Sequence, residues 1–165
     1  MTQDFSSLLF RLNKHGVEFV IIGGFAGVVH GCTLVTQDID ISCKFTTKNL
    51  LRLQKALADI HPVHRMTPDR LRLELTGENC KNYKNLYLDT DLGQLDCISY
   101  VQGIGDFEKT IKASQLIEVE SQKFNILKIE ALIEAKKSLN RPRDREVVIQ
   151  LEALKKIREN LGKNQ

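Results

Sequence analysis

The stretch "TQDIDI", residues 36 to 41, carries Asp38 and Asp40 one residue apart in a run that otherwise reads as a buried strand. Side chains alternate across a strand, so both carboxylates share one face while Ile39 and Ile41 take the other. A buried carboxylate is costly unless cations or donors face it, and two side by side sharpen the demand. A divalent metal meets it. Asp96, in "GQLDCIS", is flanked by Leu95 and Ile98 and offers a third carboxylate from a second strand, completing a hard oxygen set suited to magnesium. Asp89 and Asp91 form another Asp-x-Asp pair, but they stand at a turn, where aspartate is ordinary.

A second feature suggests the substrate. Gly23-Gly24 follows the β-branched and aromatic run "VEFVII" and precedes the short helical stretch "FAGVVHG", residues 25 to 31. Glycine lets backbone amides approach a ligand closely, and a helix N-terminus favours phosphate. Phosphates beside magnesium point to a nucleoside triphosphate.

The elements that must position these residues follow from periodicity. Phe5, Leu8, Leu9 and Leu12 share a helix face that His15-Gly16 ends. Residues 17 to 22 and 36 to 41 are strands, and Thr47 caps a helix whose apolar side runs from Leu50 to Ile60. The alternation of "LRLEL" (Leu71, Leu73, Leu75) supports a strand in a stretch otherwise hard to assign. "NLYLDTDLGQLDCIS" reads as two strands around Asp91-Leu92-Gly93, with Gln94, Asp96 and Ile98 on one face. Residues 115 to 127 form a second hairpin turning at Glu120 to Gln122, and two amphipathic helices follow, broken at Asn140-Arg141-Pro142. The expected class is α/β (α+β), a mixed β-sheet flanked by helices with Asp38, Asp40 and Asp96 converging on one face. Residues 1 to 165 read as one domain, with 128 to 161 a C-terminal helical pair packed on it.

Composition narrows the classes. With 165 residues, 42% of them hydrophobic, the chain can bury a core. A net charge of +3 is too small to imply a nucleic-acid protein by itself. No apolar run approaches membrane-span length and the start lacks a signal-peptide layout, so a cytoplasmic protein is expected. Cys32, Cys43, Cys80 and Cys97 lack zinc-site spacing and read as reduced, buried thiols. His61 and His64 read as surface histidines, and Lys155, Lys156, Arg158 and Lys163 as the charged outer face of the last helix.

At this point the residues resemble a family. "VIIGGFAGVVHGCTLVTQDIDI" resembles the signature of the nucleotidyltransferase superfamily with the DNA polymerase β type of fold, in which a GG or GS turn precedes a DxD strand. "TDLGQLDCI" and "LKIEALIEAKKSLNRPRDREVVIQLEAL" are similar to minimal bacterial nucleotidyltransferase-like proteins, including toxin components of toxin–antitoxin systems. Residues 61 to 82 carry no matching motif. The resemblance implies a nucleotidyltransferase-like fold in which Gly23 and Gly24 cradle the triphosphate beside Thr36. It further implies that Asp38 and Asp40 hold Mg2+, two ions with Mn2+ as an alternative. Asp96 would be the third ligand, assisting deprotonation of the attacking hydroxyl, and Lys136 could neutralise phosphate charge. The implied reaction moves a nucleoside monophosphate, from ATP or another NTP, to a hydroxyl of RNA, protein or small molecule. An antitoxin-like protein is the implied partner. Two positions depart from the pattern: Leu34-Val35 stands where a basic residue is common, and Arg143 replaces a lysine. An inactive nucleotide- or partner-binding module and a metal-dependent phosphohydrolase are the rival readings.

Overall fold

The computed structural model describes residues 3 to 164. Of the expected span, Met1, Thr2 and Gln165 lie outside the described residues. Helix α1 (Phe5–Lys14) starts where the Asp4 side chain accepts from the Ser7 N–H, and it buries Leu8, Leu9 and Leu12. Strand β1 (Phe19–Ile22) is buried throughout and runs directly into α2 (Gly23–His30). The twin glycines are therefore the first residues of the helix, where a preceding turn had been expected.

Strand β2 (Asp38–Cys43) begins two residues later than its periodicity suggested, but the alternation holds: Ile39, Ile41 and Cys43 are fully buried. Thr46, one residue before the expected cap, caps α3 (Thr47–Leu57) by accepting from the Asn49 N–H. A short strand β3 (Val63–His64) follows. The segment "LRLEL" forms no strand beyond one bridge between Val63 and Arg72. Leu73 and Leu75 are buried, whereas the Gln54 side chain takes both the N–H and the C=O of Leu75. Apolar alternation there serves packing, and a side-chain amide replaces the ladder.

The hairpin of β4 (Asn85–Thr90) and β5 (Gly93–Ile98) turns at Asp91-Leu92, as expected. A small ribbon of β6 (Tyr100–Val101) and β7 (Gly105–Asp106) leads to α4 (Phe107–Lys112), whose N-cap is Asp106. None of these three has sequence periodicity long enough to announce it. β8 (Ser114–Val119) and β9 (Gln122–Leu127) join through Glu120 and Ser121, both at positive φ, the backbone a tight hairpin turn needs. The chain ends with α5 (Ile129–Leu139) and α6 (Pro142–Lys163), where Pro142 opens the second helix at its first position.

Seven strands form a mixed sheet in the order β3-β4-β5-β2-β1-β9-β8. β2 lies antiparallel to β1 and parallel to β5, and β1 lies parallel to β9. Ile39, Ile41, Leu86, Leu88, Leu95 and Cys97 join Leu8 and Leu12 of α1 and Leu50 and Leu53 of α3 in one core. α5 packs along α6, and both touch α2. All four cysteines are free and buried. Among the described residues no helix is long and apolar enough to cross a membrane.

The α2–α6 contact depends on a neutral histidine. His30 Nε2 donates to the Leu127 carbonyl at 2.7 Å. Its Nδ1 lies 3.2 Å from Arg158 Nη1, and since a guanidinium can only donate, Nδ1 must accept. Arg158 Nη2 also donates to the His30 carbonyl at 2.9 Å. Burial, reinforced by the Arg158 charge against the bond to Leu127, holds the ring's pKa below the usual histidine value. A depressed folded-state pKa means stability present above the unfolded value of ~6.5 and lost as pH falls from there. His30→Gln cannot gain a charge, so between pH 7.5 and 5.5 its urea midpoint should fall less than that of wild type. Equal falls in the two proteins would refute this account.

Candidate active site

Strand register brings the three carboxylates together. Asp40 stands opposite Asp96 across the parallel β2–β5 pair, and Asp38 precedes Asp40 on the same face. One oxygen from each of Asp38, Asp40 and Asp96 lies within 4.8 Å of the others. Asp96 is 8% exposed. Burial, followed by repulsion from Asp38 and Asp96, pushes the Asp40 pKa up to about 7 against the pull of Lys136. Asp38 is also raised, by burial and then by Asp96, although Arg65 and Arg143 oppose the shift. Three acceptor groups this close, two of them held against their own ionisation, form a donor set that a hard divalent cation suits.

Gly23 sits at the edge of this set, with Gly24 beside it against Thr36. Gly23 adopts φ +71°, and a Cβ there would overlap the Asp40 carboxylate. Only glycine satisfies both the left-handed backbone and the close approach. A Cβ on Gly24 would instead come 3.4 Å from Thr36 Oγ1. Thr36 lies just before β2, and its hydroxyl donates to the Asp38 carbonyl at 2.8 Å, tying the incoming loop to the carboxylate strand. No side chain caps α2, whose N-cap is Ile22, so none of its first N–H groups is taken up by a capping side chain.

Lys136, expected on a helix where a solvated lysine would be ordinary, is instead 9% exposed. Its Nζ lies 3.5 Å from Asp144 Oδ1, and it is close enough to Asp40 to lower that group's pKa. Asp144 is also held by Arg141, through Nε at 2.6 Å and Nη2 at 3.1 Å. The break between α5 and α6 thus borders the carboxylates, and the charge of Arg143, one of the two departures from the resembled pattern, acts on Asp38. Of the other departure, Val35 is 91% exposed while Leu34 packs beside Gly24 and Gly27.

Arg65 escaped sequence reasoning. It follows β3 in the segment without a motif, and its Nη1 donates to Asp96 Oδ1 at 2.6 Å. An isolated arginine between two prolines carries no periodic or motif signal, so nothing in the sequence marks it. Of the two aspartates expected at a turn, only Asp91 stands there, beside the exposed His61; Asp89 lies within β4, opposite Gln94 and Val63, and pairs with Arg70. A groove of about 1090 Å³ lies elsewhere, bordered by Arg11, Lys55 and Asp59, and contains none of the three carboxylates.

No protein-family model matches the chain, and no curated protein matches it. Solved structures do. The lincosamide antibiotic adenylyltransferase LnuA, solved with lincomycin bound, superposes with a TM-score of 0.60 at 14% identity, covering 93% of this chain and 99% of that one. An antigenic nucleotidyltransferase-like protein from Paracoccidioides brasiliensis gives 0.61 at 15% identity, over 91% of this chain and 75% of its own. ANT(2″)-Ia, in complex with adenylyl-2″-tobramycin, gives 0.53 at 14% identity over 91% of both chains. The chain has the nucleotidyltransferase-like fold, a mixed seven-stranded sheet flanked by helices.

Proposed function

We propose that this chain is a magnesium-dependent nucleotidyltransferase that moves a nucleoside monophosphate from an NTP, ATP first among them, to a hydroxyl acceptor. The observation that carries the reading is the convergence of Asp38, Asp40 and Asp96, with Gly23 pressed against Asp40, on a nucleotidyltransferase-like fold. Asp38, Asp40 and Asp96 are the catalytic and metal-holding residues, with room in the reading for two Mg2+ ions or Mn2+ in their place. Bound metal supplies charge stabilisation for the reacting phosphate and the attacking oxygen.

The chain's own groups do the rest. Amides at Gly23 and Gly24, at the start of an uncapped helix, bind phosphate oxygens. Thr36 holds the carboxylate strand beside them, and Lys136 offsets phosphate charge from its buried place next to Asp144. Asp96 takes up the proton of the acceptor hydroxyl as that oxygen attacks the α-phosphorus and pyrophosphate leaves. Residues 1 to 165 act as one unit, with the helical pair of 128 to 161 closing the phosphate side. Four free, buried cysteines support a reducing, cytoplasmic setting.

A small-molecule hydroxyl is the first acceptor to test, because LnuA and ANT(2″)-Ia carry lincomycin and adenylyl-2″-tobramycin. The tail that resembles toxin components makes RNA and protein the next acceptors and an antitoxin-like protein the partner to seek. Four labelled triphosphates should be offered with magnesium to lincosamides, aminoglycosides, total RNA and total protein. The expected result is metal-dependent label transfer with release of pyrophosphate. Triphosphate binding without pyrophosphate release across that panel would instead favour a nucleotide-binding module, and phosphate release without transfer would favour a phosphohydrolase. Millimolar magnesium should also raise the melting temperature of wild type by several degrees through mass action, an effect the Asp38→Asn/Asp40→Asn protein should lose.

A further inference from the structure

The site face of the sheet carries a continuous row across β2, β5 and β4 to the residue that follows β3. Asp40 stands opposite Asp96, and Asp96 stands opposite Tyr87. The Arg65 N–H donates to the Tyr87 carbonyl at 2.8 Å, which puts Arg65 next in the row. From there its guanidinium passes 5.9 Å from the centre of the Tyr87 ring and reaches Asp96. Arg65 Nη1 also donates to the Leu88 carbonyl at 3.3 Å. Among the described residues, no other basic side chain forms a hydrogen bond to any of the three carboxylates.

We propose that Arg65 is a positioning residue, which holds one oxygen of Asp96 so that the carboxylate presents its other oxygen to the cation shared with Asp38 and Asp40. The inference rests on the metal-site reading above and adds to it a residue from the segment without a motif. A loose counter-ion would compete with an incoming cation. Arg65 is not loose: a backbone hydrogen bond, a carbonyl and an aromatic face fix it on its own edge of the sheet. Its side chain is 18% exposed and that of Asp96 11%, so the pair is partly shielded from water. The guanidinium stays charged throughout the working pH range, which keeps the hold permanent. Partners that orient a metal-holding carboxylate in this way are worth about 10–100-fold in metal affinity.

Mn2+ alone is the probe, with its free fraction read by electron paramagnetic resonance and the melting temperature of each variant measured alongside. Arg65→Gln and Arg65→Met should each bind Mn2+ about 10–100-fold more weakly than wild type, and Arg65→Lys should recover part of the loss. Using two neutral replacements guards against one of them failing to fold, since Met keeps the apolar stem against Tyr87. Arg70→Ala removes an ion pair of the same kind, to Asp89, and should bind Mn2+ like wild type. Because the effect runs through Asp96, Arg65→Gln should weaken Mn2+ binding no further in an Asp96→Asn background. Neutral variants that bind Mn2+ as tightly as wild type, or more tightly, would overturn the proposal, and so would equal losses with and without Asp96. Wild type that fails to bind Mn2+ would overturn the metal-site reading and this inference together, whereas normal wild-type binding with unaffected Arg65 variants overturns only the role of Arg65.

Discussion

Asp40→Asn should melt at a higher temperature than wild type in the metal-free protein at pH 8, and should be almost without transfer activity. Asp40 has a folded-state pKa of about 7, raised by burial and by its two carboxylate neighbours. A raised value means that its contribution to stability is fully present below the unfolded pKa of ~3.9 and lost as pH rises through 7. At pH 8 the native state therefore holds an anion it disfavours, at an expense on the order of 2–4 kcal/mol. Asparagine keeps the shape and removes the charge, so the variant should gain about 5–10 °C at pH 8 and nothing near pH 4. Added magnesium should narrow the gap by stabilising only wild type. Transfer should fall by about 10³-fold, the scale on which losing one preorganised stabiliser of transition-state charge acts. Differential scanning across pH, with and without metal, checks both halves. A variant less stable than wild type at pH 8 would mean that the three carboxylates do not repel one another as the geometry requires.

Gly23→Ala and Gly24→Ala should differ sharply although the two residues are neighbours. Alanine at position 23 meets a left-handed backbone and a carboxylate already in the space its Cβ needs. Backbone strain and overpacking together should destabilise the protein by about 2–4 kcal/mol and displace Asp40. Position 24 has an ordinary φ, and its Cβ would lie 3.4 Å from Thr36 Oγ1 and 3.5 Å from Leu34 Cδ1. A shift of a few tenths of an ångström accommodates it, so the change in stability should stay below about 1 kcal/mol. Urea denaturation of the two variants decides the matter, and equal losses would contradict the assignment of Gly23 as the residue that makes room for Asp40. Any activity lost in Gly24→Ala with stability intact would then belong to the phosphate contact proposed for its amide.

Local pattern carried a large share of this protein. Period-two alternation put Asp38 and Asp40 on one face and Asp96 on the matching face of its own strand, because pleating does not depend on what lies beyond the strand. The hairpin turns at Asp91-Leu92 and at Glu120-Ser121 and the break between the last two helices were legible for the same reason, each resting on a few adjacent residues, although Pro142 proved to be the first residue of α6 and not part of the break. The alternation in "LRLEL" misled because burial without a ladder produces the same apolar spacing, and the deciding partner, Gln54, stands 21 residues earlier. The order of the strands, the register that sets Asp40 beside Asp96 and the burial of Lys136 against Asp144 belong to tertiary structure, since each joins residues far apart in the chain. Arg65 is the clearest case. Its meaning lies wholly in crossing Tyr87 to reach a carboxylate 31 positions away, and a long flexible cation shows no such target until the sheet is assembled. Sequence determined which carboxylates could do the chemistry and which face of its strand each took; only the packed sheet decided which groups meet, because nonlocal contacts are chosen by the burial of the whole core.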